Sequence, residues 1–308
     1  MDSNYKNKPS IVLENGLVRA EIIPDPGGKM VSLKNSMTGY EFLVQRPGMI
    51  YKEQPFAGSY VAAECSGFDD MFPTIDECDY TDFPWHGTRM ADHGEVWSLP
   101  WTVEAYDDKS AKLSTHGIRF PYALKKNYEV TGKSVRIAYS LQNLSPFPFN
   151  YLWAGHAMIY AEEGMTIKVP DDCREMVSVL SNGASRFGDG HRWPWLVDKD
   201  GKPYRADIFR SRESGGFEKY YFTNPLRSGW CRLDYPDGKT RCRIDFSTET
   251  VPYLGILVNE NGWDGLFNII VEPCSICYDR PDVAQKFGQT STLPPWGTVD
   301  WTMSFSVE

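Results

Sequence analysis

Long apolar runs, blocks of basic residues and familiar nucleotide-binding motifs are all missing from this 308-residue sequence. No stretch approaches the ~20 consecutive apolar residues that a membrane-spanning helix needs. The chain has 41 acidic and 32 basic residues, a formal net charge of -9, and no Lys/Arg-rich block. This charge pattern argues against nucleic acid and anionic membranes as partners. The sequence also lacks a phosphate loop, the His-Glu-x-x-His motif and the Gly-x-Ser-x-Gly motif, which removes many enzyme classes.

The seven cysteines do not form a disulfide framework, because their number is odd and they are scattered along the chain. Reduced thiols, together with a polar start that has no signal-peptide core, predict a cytoplasmic protein. Cys274 and Cys277 have the C-x-x-C spacing of zinc and redox sites, but no second pair supplies ligands. On a strand, an offset of three also places the two thiols on opposite faces. We therefore predict neither a metal nor a cofactor.

Helical periodicity is nearly absent, and the best short candidate for a helix is residues 281–286. Apolar residues instead recur at period two, as in residues 17–23 and 135–141, which predicts half-buried strands. Turn signals between such runs indicate many antiparallel strands. Residues 181–216 read as a long excursion from the sheet. No repeat or linker interrupts the pattern, so we expect a single all-β domain over residues 1–308.

Aromatic residues make up 14% of the chain, with ten Trp and seventeen Tyr. Such residues fit the pleated surface of a β-sandwich core. They also fit a sugar site, since the apolar faces of a pyranose pack against aromatic rings. Composition leaves both interpretations open.

Only five histidines occur, so each can be weighed as an acid, a base or a ligand. His156 lies in a largely apolar stretch, where a histidine is more often a satisfied core residue than a catalyst. His86 and His191 lie in aromatic-rich, loop-like segments. His116 precedes a glycine at a predicted turn and is the weakest candidate.

Glu272 interrupts a hydrophobic run, residues 266–271, that reads as a buried strand. A buried and unpaired carboxylate costs several kcal/mol, so this residue needs a partner or a purpose. The alternative is that the strand ends here, since Pro273 follows, and that the carboxylate faces solvent.

Two further acidic groups are ambiguous. Asp92, His93 and Glu95 surround a glycine turn; they suit either a metal site or, more plainly, a solvated turn. Asp69 and Asp70 lie among bulky apolar residues, where one of them faces a cleft or the two cap a turn.

Taken in order, several segments resemble the aldose 1-epimerase (galactose mutarotase-like) family over nearly the whole chain. The segments that carry the resemblance are the strand at 17–23 with the Gly27-Gly28 turn, His93-Gly94 ahead of Trp97, Phe120-Pro121-Tyr122, His156 after Trp153, and Val271-Glu272-Pro273. The segment from Gly67 to Pro73 looks like the divergent bacterial branch. The Asn-Arg pair that binds sugar in galactose mutarotases has no clear equivalent.

The resemblance implies an all-β fold, a large antiparallel β-sandwich of the galactose mutarotase-like supersandwich type. It implies a mutarotase that interconverts the α and β anomers of an aldose without a cofactor. In that role Glu272 takes the proton of the C1 hydroxyl, and protonated His156 donates a proton to the ring oxygen.

The expected substrate-binding residues are His93, Asp70, Arg89, Trp153 and Trp193, with Trp195 as a further stacking candidate. Core packing is an equal alternative for Trp153. We expect a small-molecule sugar as the partner and a monomer or homodimer as the assembly.

Three alternatives remain open at this point. A non-catalytic carbohydrate-binding sandwich would use the same cleft without turning the sugar over. Another sugar-isomerising or hydrolysing enzyme would use the same pair, although hydrolysis needs two carboxylates that face each other across the glycosidic bond. The third alternative is a site for a divalent ion, formed by Asp92, His93 and His86.

Overall fold

The computed structural model describes residues 3–52, 54–187 and 192–308. Its strands, numbered in chain order, are β1 Ser3–Tyr5, β2 Lys8–Glu14, β3 Val18–Ile23, β4 Lys29–Asn35, β5 Phe68–Met71, β6 Cys78–Asp79, β7 Arg89–Met90, β8 Thr102–Tyr106, β9 Ser110–His116, β10 Tyr122–Thr131, β11 Ser134–Asn143, β12 Phe149–Tyr151, β13 Ala154–Tyr160, β14 Thr166–Lys168, β15 Glu175–Ser181, β16 Arg192–Pro194, β17 Phe217–Phe222, β18 Gly229–Asp234, β19 Arg241–Phe246, β20 Tyr253–Glu260, β21 Phe267–Cys274, β22 Ser291–Leu293 and β23 Thr298–Val307.

Two large sheets account for most of these strands. The larger has eleven strands in the order β1-β2-β3-β4-β5-β13-β21-β20-β17-β15-β16, and the smaller has eight in the order β14-β18-β19-β23-β11-β10-β9-β8. Two-stranded sheets join β12 to β22 and β6 to β7. The strand pairs in both large sheets are antiparallel. The predicted all-β, antiparallel sandwich is confirmed.

The small sheet follows the predicted period of two. In β11 the residues that face inward are Val135, Ile137, Tyr139 and Leu141, and their neighbours are half-buried or exposed. One face of this sheet therefore packs in the core and the other faces solvent.

The centre of the large sheet is buried on both faces. Every residue of β20 and β21 is buried. Along β21, Ile269 and Val271 belong to the core between the two sheets, whereas Ile270 belongs to a second cluster beneath the loops. Because successive side chains of a strand point to opposite faces, this strand serves both layers.

Short helical segments occur at Pro281–Gln285, as predicted, and at Arg212–Ser214. The segment predicted as an excursion starts at the end of β15, forms the short edge strand β16 of the large sheet, and leads into β17; residues 188–191 lie outside the described part. Within the described ranges, no helix is long and apolar enough to cross a membrane.

A buried ion pair links the two sheets. Asp70 of β5 accepts a hydrogen bond from Lys126 of β10 at 2.7 Å, and both side chains are fully buried. The ammonium group also donates to the Gly27 carbonyl at 3.1 Å and lies 4.2 Å from the centre of the Trp101 ring. Removing one partner would leave an uncompensated charge in the core.

We predict that Asp70→Asn lowers the free energy of unfolding by about 3–5 kcal/mol, because Lys126 keeps its buried charge. Urea denaturation followed by circular dichroism measures the change. The control is Lys125→Met on the same strand, whose exposed ammonium lies 3.6 Å from Glu104 and whose loss costs about 0–1 kcal/mol. An Asp70→Asn variant as stable as the wild type would contradict this account of the pair.

Candidate active site

The loop-covered face of the large sheet encloses a cavity of about 240 Å³. Its polar walls come from β13, β17, β20, β21 and the loops that cross them. The lining residues that carry polar or aromatic groups are Tyr60, Asp76, His93, His156, Phe217, Lys219, Asn259, Trp263, Asn268, Glu272 and Asp279.

Glu272 and His156 lie side by side on adjacent strands of this face. The pair Ala157 and Val271 fixes the register of β13 against β21 and brings the two side chains together. Nε2 of His156 lies 3.6 Å from Oε1 of Glu272. Glu272 is 0% exposed and His156 is 4% exposed. The alternative that the strand ends at Glu272 and turns it to solvent is wrong, because β21 continues to Cys274.

Lys219 of β17 supplies a positive charge to this pair. Its ammonium nitrogen lies 2.8 Å from Oε2 of Glu272 and 2.6 Å from Oδ1 of Asp279. The Tyr221 hydroxyl donates to the same Asp279 oxygen at 2.5 Å. A buried cation thus joins two carboxylates.

Burial shifts the pKa values of the two central groups in opposite directions. Burial raises the pKa of Glu272, and the neighbouring Lys219 charge opposes that rise. Burial lowers the pKa of His156 well below its usual range, and the charges of His93 and Lys219 add to this effect. The lowered pKa favours the neutral imidazole in the resting site.

Behind His156, a hydrogen-bonded chain runs away from the cavity. The Tyr60 hydroxyl donates to Asp69 at 2.9 Å, and its oxygen lies 3.3 Å from Nδ1 of His156. Lys29 in turn lies 3.1 Å from Asp69. Because the hydroxyl hydrogen points to Asp69, the Tyr60 oxygen accepts from Nδ1–H of His156. Nε2 of the neutral ring is then free to accept a proton on the cavity side.

His93 completes this wall. Its ring stacks on Tyr60 with centroids 4.3 Å apart, and its Nδ1 lies 2.7 Å from Oδ1 of Asp92. Burial disfavours the charge of Asp92, but the hydrogen bond and charge of His93, together with the hydrogen bond from the Tyr60 amide, lower the pKa of that carboxyl. The following residue must be glycine, since a Cβ on Gly94 would lie 2.0 Å from the Phe72 carbonyl oxygen.

No protein-family model matches the chain, and no curated protein matches it in sequence at a significant level. Solved structures do match over nearly all of the chain. A protein of Synechocystis sp. PCC 6803 shares 17% identity at a TM-score of 0.71, covering 100% of this chain and 99% of its own. A galactose mutarotase related enzyme from Lactobacillus acidophilus shares 17% at 0.70, covering 97% of each chain. A galactose mutarotase-like protein from Lactobacillus casei shares 16% at 0.66, covering 97% and 100%. This chain has the galactose mutarotase-like fold.

The mutarotase-like fold brings three of the seven predicted site residues together. Glu272, His156 and His93 all line the cavity. The other four lie outside the cavity, contrary to the prediction.

Asp70 and Trp153 face the interior of the mutarotase-like sandwich. Asp69 and Asp70 point to opposite faces of β5, so the acid next to the cavity wall is Asp69, which acts through Tyr60. Trp153 donates to Asp70 at 3.1 Å and packs between the sheets, where its ring centroid lies 5.0 Å from that of Trp301. Core packing, the alternative weighed for Trp153, is the correct one.

Arg89 lies at the surface, and Trp193 lies on an edge strand, so both are outside the cavity. Arg89 of β7 is 48% exposed at its side chain and pairs with Glu77 at 2.8 Å. Trp193 lies on the edge strand β16 and packs against the core between the sheets, as does Trp195. Of the other histidines, His86 is exposed and contacts the Thr81 carbonyl, and His191 lies outside the described residues.

The ligand sets proposed for a metal are not assembled in the part of the chain that the structure describes. No group of three or more His, Cys, Asp or Glu side chains is arranged to hold an ion there. Glu95 turns away from His93 and accepts a hydrogen bond from the Tyr122 hydroxyl at 3.0 Å. Cys274 is buried in β21, and burial raises its pKa well above the usual range, so it remains a thiol.

Sequence reasoning missed Lys219, Asp279, Tyr60 and Trp263. The signal for Lys219 was available, because a charge that interrupts the aromatic strand Phe217–Phe222 is as unusual as Glu272 in its own run. Trp263 supplies the aromatic ring that was expected from Trp193, and Asn259 holds its loop by accepting from the Trp263 amide at 3.1 Å. Asp279 lies in a loop and carries no comparable pattern.

We predict that His156 makes the stability of the protein depend on pH. Its pKa is lower in the folded chain than in the unfolded one, so the unfolded state binds more protons below about pH 6.5. The free energy of unfolding therefore falls as the pH drops from 7 to 5, with His156 contributing up to about 1.4 kcal/mol per pH unit. Denaturation curves across this range measure the slope.

In His156→Asn the slope should be smaller, while in the control His116→Asn, which changes an exposed residue, it should match the wild type. The raised pKa of Glu272 acts in the opposite sense, but Glu272 is present in all three proteins. Equal slopes in the wild type and His156→Asn would contradict the lowered pKa of His156.

Proposed function

We propose that the protein is an aldose 1-epimerase that interconverts the α and β anomers of an aldose, with Glu272 as the base and His156 as the acid. The observation that carries the proposal is the pairing of Oε1 and Nε2 at 3.6 Å on one wall of a small cavity. The cavity volume lies below the ~300–1,000 Å³ typical of pockets for drug-sized ligands, which suits a single sugar ring.

The reaction needs a base and an acid that are close neighbours. Ring opening removes the proton from the C1 hydroxyl, forms the C1 carbonyl, breaks the bond from C1 to the ring oxygen and places a proton on that oxygen. Both oxygens are bonded to C1, so the two protein groups must lie side by side. Glu272 and His156 satisfy this requirement, whereas two carboxylates facing across a glycosidic bond would serve hydrolysis.

The steps follow from these positions. Glu272 accepts the hydroxyl proton, and His156, protonated on Nε2, gives its proton to the ring oxygen. Rotation about the bond from C1 to C2 turns the carbonyl over. On closure the former ring oxygen attacks C1, His156 takes back the proton of that oxygen, and Glu272 gives its proton to the carbonyl oxygen. The low pKa of His156 makes its cationic form a strong acid, which suits a weakly basic ring oxygen.

The surroundings of the pair suit a sugar. Trp263 and Phe217 line the cavity with ring centroids 6.2 Å apart and offer an aromatic surface to the apolar face of a pyranose. His93 and Asn268 present polar groups for hydroxyls. Sugar binding without faster mutarotation than the spontaneous rate would instead favour a non-catalytic carbohydrate-binding protein.

We predict that Glu272→Gln and His156→Asn each lower kcat/KM by about 100-fold or more, the usual contribution of a general acid or base. Optical rotation of freshly dissolved D-glucose, D-galactose, D-mannose and D-xylose follows the reaction against the spontaneous rate. The controls Glu77→Gln and His86→Asn change exposed residues outside the cavity and should retain the wild-type rate. Unchanged rates in both cavity variants would remove this assignment.

We also predict a narrow bell-shaped dependence of kcat/KM on pH. The raised pKa of Glu272 moves the acid limb to higher pH, and the lowered pKa of His156 moves the alkaline limb to lower pH. The maximum should therefore lie below about pH 6.5, the ordinary pKa of histidine. Polarimetry between pH 4 and 9, corrected for spontaneous mutarotation, measures the profile. A broad plateau through pH 8 would show that His156 does not act as the cationic acid.

A further inference from the structure

Lys219 is a buried cation that the proposed proton transfers do not use. It is 5% exposed, and it is the only Lys or Arg among the described residues that line the cavity. Its ammonium group contacts Glu272 and Asp279 at 2.8 and 2.6 Å. Fully burying a lysine is costly unless its charge is paired, and here two carboxylates pair with it.

The contact reaches across an intervening strand. Lys219 lies on β17 and Glu272 on β21, and β20 separates the two. Gly255 of β20 pairs with Tyr221 on one side and with Glu272 on the other. A Cβ on Gly255 would lie 2.6 Å from the Tyr221 ring and 3.1 Å from Oε2 of Glu272. The missing side chain therefore leaves the space in which the ion pair forms.

Other titratable groups also face Glu272, and each element around it contributes. They are Lys219 and Tyr221 of β17, His156 of β13, Cys274 of β21 itself, and His93, Asp76 and Asp279 from the loops. His156 is neutral at rest. Burial has the largest effect on the pKa of Glu272, and among the charged neighbours Lys219 and Asp279 have the largest.

We propose that Lys219 is a positioning residue that keeps Glu272 ionised, and that Asp279 limits this effect by drawing part of the lysine's charge to itself. The proposal rests on the proposed function in treating Glu272 as the base. A buried carboxylate without a cation would hold a proton and accept none. If Lys219 paired with Glu272 alone, the pKa of Glu272 would be lower, and the carboxylate would be too weak a base to take a hydroxyl proton.

The two partners of Glu272 give predictions of opposite sign. In Lys219→Met the protonation midpoint of Glu272 should move to higher pH, because the favourable charge is gone. In Asp279→Asn it should move to lower pH, because Lys219 then serves Glu272 alone. Lys219→Arg keeps the charge and should stay nearer to the wild type than Lys219→Met does. Lys125→Met, on the exposed face of the small sheet, should leave the midpoint unchanged.

The test titrates protein labelled with carbon-13 at the glutamate carboxyl and follows Glu272 by NMR, with its resonance identified by its loss in Glu272→Gln. This titration does not depend on enzymatic turnover. The second reading is kcat/KM against pH for α-D-glucose. On its acid limb, kcat/KM should fall about tenfold for each pH unit that the midpoint rises.

Shifts of opposite sign in Lys219→Met and Asp279→Asn would support the proposal. If Lys219→Met does not fold, Asp279→Asn and Lys219→Arg decide it. An unchanged Glu272 midpoint in the folded variants would overturn it, even if the wild type is an active mutarotase. Conversely, the predicted shifts in a protein that accelerates no aldose would support the role of Lys219 in ionising Glu272 and overturn the proposed function.

Discussion

A carboxylate buried in the middle of a sheet is the constraint around which this molecule is arranged. Glu272 is inaccessible to solvent, so its charge must be met by protein groups within a few ångström. The neighbouring strands meet it: β13 contributes His156, β17 contributes Lys219, and β20 contributes a glycine that leaves room between them. The register of four antiparallel strands is thereby tied to the chemistry of one side chain.

The alternation of side chains along a strand explains how one sheet supports both a core and a site. Asp69 and Asp70 are adjacent, yet each has its own buried lysine. Asp70 pairs with Lys126 between the sheets, and Asp69 lies beside Lys29 beneath the cavity wall. One ion pair therefore joins the two layers, and the other supports the chain from Tyr60 to His156.

The fold could be predicted from the sequence because it follows from local patterns. Period two in β11, the apolar run of β21 and the short helix after Pro281 are each visible in a few residues. The site was harder to predict from the sequence. Choosing Asp69 over Asp70 required knowing which face of β5 meets the core, and alternation alone does not reveal that. Trp263 and Asp279 depend on where loops fold over the sheet, which involves contacts between distant residues. Lys219 is different, since its charged position in an aromatic strand could have been noticed.

The central claim is that the pair of Glu272 and His156 opens and closes a sugar ring. Proton exchange NMR of an equilibrated aldose measures this directly, because the anomeric protons of the α and β forms give separate signals whose exchange reports the interconversion rate at equilibrium. The account predicts that catalytic amounts of the wild type raise this rate above the spontaneous one for at least one sugar, and that Glu272→Gln returns it to the spontaneous value. Exchange at the spontaneous rate for every aldose of the panel, or equal acceleration by Glu272→Gln, would contradict it.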